Sequence, residues 1–237
     1  MIKPYNQTEG KKKQITKMFD NIANTYDLLN HFLSLRMHIL WRKKAIKHIN
    51  INTKKILDIG TGTADFAIDS AKKINAQIIG IDLSKKMLEI GKRKIIKKKL
   101  NKKIYLEIGD AEQLPFNKNN FDVITAGFVI RNFEDINKGL LEQYRVLKPN
   151  GQLIILEPSI PRLIPFKQIY TLYFSYFLPL IGKIISKDKS AYNYLNKSVK
   201  KFPEKELFIK KLKKIGFKKC KHIPLSFGIV SLFIAIK

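Results

Sequence analysis

The residues best suited to chemistry stand together in one octet, Asp58-Ile59-Gly60-Thr61-Gly62-Thr63-Ala64-Asp65. It follows a short apolar run that ends at Ile59 and precedes a helical pattern of Phe66, Ala67, Ile68 and Ala71. A strand-to-helix turn of this kind is where ligands bind in a doubly wound sheet. Gly60 permits a tight turn, and Gly62 lets a ligand come close to the backbone. The free N–H groups of a helix opening near Ala64 point toward that ligand. A second apolar run, Gln77 to Ile81, ends at Asp82, about where an acidic residue takes ribose hydroxyls in such folds. A dinucleotide site uses the same parts, but it expects Gly or Ala at the position of Asp65 and nothing particular at that of Asp58. Two carboxylates there suit a cationic ligand better than a pyrophosphate.

The elements that must hold this loop are legible as alternation. Apolar runs at Lys54 to Ile59, Gln77 to Ile81, Ile104 to Ile108, Phe121 to Gly127 and Gln152 to Glu157 read as strands. Helical patterns separate them, among them one capped by Ser84 and one over Asn137 to Leu147. This predicts an α/β, Rossmann-like fold with a mostly parallel sheet and helices on both faces. A helix over Glu204 to Ile215, stopped by Gly216, leads to two closing strands, Phe217 to Ile223 and Ile229 to Ile236, which complete seven as a hairpin. Residues 1–13 read as a basic flexible tail and 14–237 as a single domain. Within it, 14–50 are helical, with no Gly or Pro to interrupt Ile15 to His48. Between 158 and 202 the alternation stops: Pro161, Pro165 and Pro179 interrupt a stretch carrying Phe166, Tyr170, Tyr173, Phe174, Tyr176 and Phe177. This reads as an inserted helical cap, too interrupted for a membrane span of roughly 20 apolar residues.

The net charge of +27, from 46 Lys plus Arg against 19 Asp plus Glu, admits three readings: phosphate neutralisation, attraction to anionic lipid, or lysine spread over solvated faces by a compositional bias toward Lys, Ile and Asn. Lys far outnumbers Arg, whereas base reading and phosphate forks favour Arg, so no nucleic-acid partner is expected. A single cysteine, Cys220, excludes an internal disulfide and a Cys-built zinc site, and no metal is expected. Met1 to Lys13 lacks an apolar core, which argues against a signal peptide and for a cytoplasmic protein.

Taken in order, Asp58 to Gly62, Gly80-Ile81-Asp82-Leu83-Ser84, Gly109 to Phe116, Phe121-Asp122-Val123-Ile124 and Leu147 to Gly151 resemble the successive motifs of class I methyltransferases. Two longer stretches resemble the signatures of the menaquinone and ubiquinone biosynthesis C-methyltransferases: Tyr26 to Trp41, and Arg145 to Gly151 followed by Leu156-Glu157-Pro158-Ser159. The likeness runs from about Met18 to the C-terminus. Leu29 stands where Met is usual. Asn150, Ala64 and Val129 stand where Gly is usual, Val129 just before Arg131-Asn132.

The resemblance implies S-adenosyl-L-methionine as cofactor and a prenylated quinol as substrate. Thr63 and the Gly60–Gly62 backbone would face the methionine end, Asp82 the ribose, Asp110 the adenine amine with Ala111 beside it, and Gly127 the sulfonium; Asp58 belongs to the same motif. Methylation at a quinol carbon needs the neighbouring hydroxyl ionised and the carbon aligned with the methyl at roughly 3–3.5 Å. Arg131, His38 and Tyr26 are the catalytic candidates. Arg131 cannot act as a base but can stabilise a phenolate or position a water; the alternative is a salt bridge to Glu134 or Asp135. His38 can take the proton, and Tyr26 with Asp27 can form a lid. Glu157 is expected to hold a structural hydrogen bond. The aromatic cap would cover the substrate; with Lys167, Lys183 and Lys187 it suits either a helix lying on the cytoplasmic face of a membrane or an ordinary cap core with snorkelling lysines. Demethylmenaquinol is the preferred acceptor and the ubiquinone-pathway benzoquinol the alternative. A basic RNA methyltransferase would instead carry an RNA-binding module or an Asn-Pro-Pro-aromatic motif after the fourth strand, where Gly127 to Asn132 stands. A decayed, non-catalytic relative would have lost Asp82 or the glycine loop.

Overall fold

A computed structural model describes residues 2–5, 8–173, 189–203 and 205–237. Seven strands form one sheet in the order β3-β2-β1-β4-β5-β7-β6: β1 (Lys55–Ile59), β2 (Gln77–Asp82), β3 (Ile104–Ile108), β4 (Phe121–Gly127), β5 (Leu147–Pro158), β6 (Lys218–Leu225) and β7 (Val230–Ile236). The first five pair in parallel, while β7 runs antiparallel to both β5 and β6. The predicted closing hairpin is thus present, with β7 inserted between β5 and β6.

Period-2 alternation splits the core between the two faces of the sheet. In β7, Leu232 and Ile234 face one cluster, with Ile56, Val123 and Ile154. Phe233 and Ala235 face the other, with Leu57, Ile124 and Ile155. Helices α2 (Met37–Ile46), α3 (Asp65–Ala71) and α4 (Lys85–Lys97) supply the first side, through residues such as Trp41, Phe66 and Leu88. Helix α5 (Ile136–Val146) supplies Leu140 to the second. So does α8 (Lys205–Ile215), through Phe208 and Leu212. Helix α6 is Phe166–Leu172 and α7 is Lys189–Lys201.

Two boundaries differ from those the sequence predicts. Helix α1 (Lys11–Leu33) begins at Lys11, inside the expected tail, because Lys11 is buried and its Nζ donates to the carbonyls of Arg131, at 3.2 Å, and Phe133, at 2.5 Å. The expected continuous helical stretch is also broken, at Leu35 and Arg36, both in the left-handed region (φ 47° and 62°), which separates α1 from α2. Of the aromatic cap, Phe166, Tyr170 and Tyr173 are in place, while Phe174, Tyr176, Phe177, Pro179, Lys183 and Lys187 lie outside the described residues. Among the described residues no helix is long and apolar enough to cross a membrane.

Candidate active site

The carboxyl ends of β1, β2 and β4 open onto a cleft of about 80 Å³ whose walls include Gly60, Gly62, Asp82, Asp110, Ala111 and Gly127. Gly60 and Gly62 both take positive φ (59° and 55°). At Gly60 a Cβ would also stand 2.2 Å from Val129 Cγ2, so the turn needs a bare α-carbon twice over. Val129 therefore packs onto the glycine loop and lines this cleft. Ala64 and Asn150, at the other positions where glycine is usual, adopt φ of 66° and 62°.

Acidic residues in and around the cleft brace it. Asp82 accepts Gly62 N–H at 2.9 Å on one oxygen and Ser84 N–H at 2.8 Å on the other, which fixes the loop against β2. Burial pushes its carboxyl pKa up, and the backbone N–H groups of Ser84, Gly62 and Leu83 pull it back. Asp110 accepts Glu112 N–H at 2.9 Å and pairs with Lys12 of α1 at 2.6 Å. Asp58 lies beneath the loop, 1% exposed, with its oxygens taken by Thr61 Oγ1 at 2.7 Å and Thr125 Oγ1 at 2.6 Å. Burial raises its pKa to about 6, and it braces the turn from below. Thr63 donates to Asp27 at 2.6 Å, and Lys94 Nζ bridges Asp27 (2.7 Å), Asp65 (2.5 Å) and Thr63 (3.1 Å). Asp20 of α1 accepts the Ser84 hydroxyl at 2.5 Å. Helix α1 is thereby latched over the cleft at three points.

The cleft opens into a larger, mainly apolar cavity of about 490 Å³, and the two share Phe19, Tyr26, Gly60, Gly62, Gly127, Phe128 and Asn132 in their walls. The larger cavity brings together all three catalytic candidates, Tyr26, His38 and Arg131. Tyr26 stands at the junction of the two spaces. Burial raises its phenol pKa, with the Asn30 hydrogen bond opposing. Burial likewise pushes the phenols of Tyr170 and Tyr194 well up, the mark of a poorly solvated chamber.

His38 is 5% exposed, and its Nε2 is buried with no hydrogen-bond partner among the described residues. Its Nδ1 lies 2.5 Å from Ser34 Oγ. Ser34 has one hydroxyl proton, and the Asn30 carbonyl 2.6 Å away can only accept it. The proton in the Ser34–His38 contact is therefore on Nδ1, and the hydrogen-bond network assigns Nε2 a free lone pair. Burial, with Arg42 and His31 adding to it, lowers the His38 pKa to about 4, so the ring is neutral near pH 7.

Arg131 pairs with neither Glu134 nor Asp135. Its Nη1 donates to Glu157 Oε2 at 3.0 Å and to the Phe128 carbonyl, and its backbone N–H reaches Glu157 Oε1 at 3.3 Å. The nearer acids are committed elsewhere: Glu134 accepts Lys11 N–H at 3.2 Å, and Asp135 caps α5 through Asn137 N–H at 2.8 Å. Glu157 is fully buried, and burial raises its pKa against the pull of Arg131. Arg131 Nε is buried and without a hydrogen-bond partner among the described residues. Asn132 orders the loop by accepting the Tyr194 hydroxyl at 3.1 Å.

Sequence reasoning missed Ser34, Lys94, Lys12 and Thr125. Ser34 stands four residues before His38, a spacing that the helical pattern read over this stretch would place on one face, and the two meet although the helix breaks between them. The other three reach the site only through the fold.

The smaller cleft fits the expected cofactor: its walls carry Asp82, Asp110 and Glu112 against Lys12 alone, and a backbone turn with bare α-carbons. The sequence pattern of the ubiE/COQ5 methyltransferase family matches residues 7–237. Demethylmenaquinone methyltransferase of Bacteroides fragilis is 44% identical, over 100% of this chain and 97% of its own. That of Chlorobaculum tepidum is 44% identical over 95% and 93%. The ubiquinone/menaquinone biosynthesis C-methyltransferase UbiE of Geotalea daltonii is 41% identical over 96% and 97%. Among solved structures, a putative S-adenosyl-L-methionine-dependent methyltransferase of Methanococcus maripaludis superposes with a TM-score of 0.64 at 22% identity, covering 98% of this chain and 96% of its own. A SAM-dependent methyltransferase of Thermotoga maritima gives a TM-score of 0.66 at 21% identity, covering 93% and 99%. These two bear on the fold alone.

Proposed function

The chain belongs to the ubiE/COQ5 methyltransferase family, and from that premise we propose that it C-methylates demethylmenaquinol to menaquinol with S-adenosyl-L-methionine. The observation that carries the reading is the joining of a small acidic cleft to a large apolar cavity at Gly60, Gly62 and Gly127. A cationic, hydroxyl-bearing cofactor suits the first space. An apolar ring with a prenyl tail suits the second.

When bound, S-adenosylmethionine supplies an electrophilic methyl group. Asp82 holds the ribose hydroxyls, Asp110 with Ala111 the adenine, and the Gly60–Thr63 turn the methionine end, while Asp58 keeps that turn in shape. Helix α1 closes the cleft and excludes water through Tyr26. His38 Nε2 accepts the proton of the quinol hydroxyl, which drives electron density onto the adjacent ring carbon; once methylated, that carbon loses its own hydrogen as a proton, the hydroxyl is restored, and one proton in net is released to solvent. Arg131, held in place by Glu157, stabilises the resulting phenolate without leaving an unbalanced buried charge. The enzyme works at the cytoplasmic face of the membrane, where its substrate resides.

The test is to supply the protein with labelled S-adenosylmethionine and, separately, a reduced demethylnaphthoquinol and a benzoquinol, each with a short prenyl tail. Label in the naphthoquinol is expected. Label in the benzoquinol alone reassigns the acceptor, and label in neither sinks the reading.

A further inference from the structure

We propose that the apolar turns beside the larger cavity, which carry Leu35, Leu163, Ile164 and Phe227, dock on an anionic lipid bilayer. Singly exposed leucines need no explanation, but several on turns beside one cavity do. Leu35 is 76% exposed, Ile164 74%, and Leu163 and Phe227 64% each. They come from separate turns: the one between α1 and α2, the one entering α6, and the 3-10 turn Ser226–Gly228. Leu163 and Ile164 lead into Phe166, a residue of the cavity wall. Leu35 is part of that wall too, and Phe227 stacks on Phe166 at 3.9 Å and 6°. Ser226 is in the same wall, where it accepts Trp41 Nε1–H at 2.8 Å. The exposed tips thus continue inward as an apolar lining.

The charge of the segments that carry these turns points the same way. The 19 acidic residues are segregated: the stretches 34–57, 158–187 and 207–237, which supply all of these turns, contain no Asp or Glu. They do contain Arg36, Lys43, Lys44 and Lys167, all exposed. A second copy of this chain would meet its own positive charge there. An anionic bilayer accepts both, with cations at the headgroups and apolar tips at the acyl boundary. The inference rests on the proposed substrate in one respect: a prenyl tail held in the membrane would enter the cavity without crossing water.

The experiment uses the full chain and sedimentation with phosphatidylcholine vesicles, with and without phosphatidylglycerol. Wild type is expected to bind the anionic vesicles only, and less as salt rises. The double substitution Leu163→Ser/Ile164→Ser, outside the cavity wall, should weaken binding roughly 10-fold or more. It should leave transfer to a short-tailed quinol in solution unchanged. A second readout needs no substitution. Trp41, the single tryptophan, lines the cavity and is bonded to Ser226 beside Phe227, and its fluorescence should be quenched by brominated acyl chains in bound vesicles. Equal binding to neutral vesicles, unchanged binding by the double variant, tighter binding to RNA, or binding without quenching would each overturn the surface. Wild type that binds vesicles yet methylates no quinol would leave the surface standing and remove the substrate.

Discussion

The two halves of the site are built by different means. The cofactor side is made of backbone: a turn of left-handed residues at the ends of parallel strands, with Asp82 tied to Gly62 and Ser84 N–H groups. The substrate side is made of side chains from α1, α2, α6, α7 and the 3-10 turn Ile130–Asn132, meeting around an apolar space. Backbone geometry holds a ligand that stays the same across many enzymes, whereas side chains from separate elements can be re-cut for one acceptor. If this division is correct, substitutions in the two halves will separate binding of the cofactor from turnover.

The largest expected effect is at His38. His38→Asn should lower single-turnover methyl transfer roughly 10²–10⁴-fold, with cofactor affinity by calorimetry unchanged. Lost cofactor binding would show that the halves are not separable. The same residue sets a pH signature. Its pKa is lowered to about 4 in the folded protein, so below pH ~6.5 the unfolded chain binds a proton that the native one resists. Stability therefore falls as pH drops from ~6.5 toward ~4, by at most about 3 kcal/mol from this group, and thermal melts of His38→Asn should lack that part of the slope.

Next is Arg131. Arg131→Met should reduce turnover roughly 10²–10³-fold and destabilise by about 3–5 kcal/mol, because Glu157 is left buried and unpaired. Adding Glu157→Gln should recover most of the stability and none of the turnover; recovery of both would make the pair structural only. Asp82→Asn belongs to the other half. It should weaken cofactor binding by about 1.5–3 kcal/mol, roughly 10–100-fold, while turnover at saturating cofactor changes little. The smallest effect is at Lys94. Lys94→Met removes partly exposed ion pairs with Asp27 and Asp65, so about 1 kcal/mol should be lost in a thermal melt.

The same division governs what the sequence reveals. The octet at Asp58 to Asp65 was legible because a backbone-built site is contiguous in the chain, and Asp82 and Asp110 because they end or follow strands. The sheet was legible because each strand ends at a recognisable turn. The Arg131–Glu157 pair was not, since the two residues are 26 apart and meet only through the pairing of β4 with β5, and closer acids stood ready to be chosen. The break at Leu35-Arg36 escaped notice because neither residue favours positive φ: tertiary contacts impose it at a cost of about 1–2 kcal/mol per residue. Ser34 alone among the missed residues was within reach, four positions from His38.

Helix α1 carries its latches at Lys12, Asp20 and Asp27. Successive residues advance by about 100° around an α-helix, so gaps of eight and seven keep all three within roughly a quarter of its circumference. The helix is in this sense phased, like a key whose teeth must share one edge. Amino-acid substitution on its outer face leaves that phase intact. Deleting a single residue between Lys12 and Asp27 swings one end by about 100° relative to the other, and the helix can then engage Asp110 or Thr63, but not both. Length, more than identity, is what this segment has to conserve.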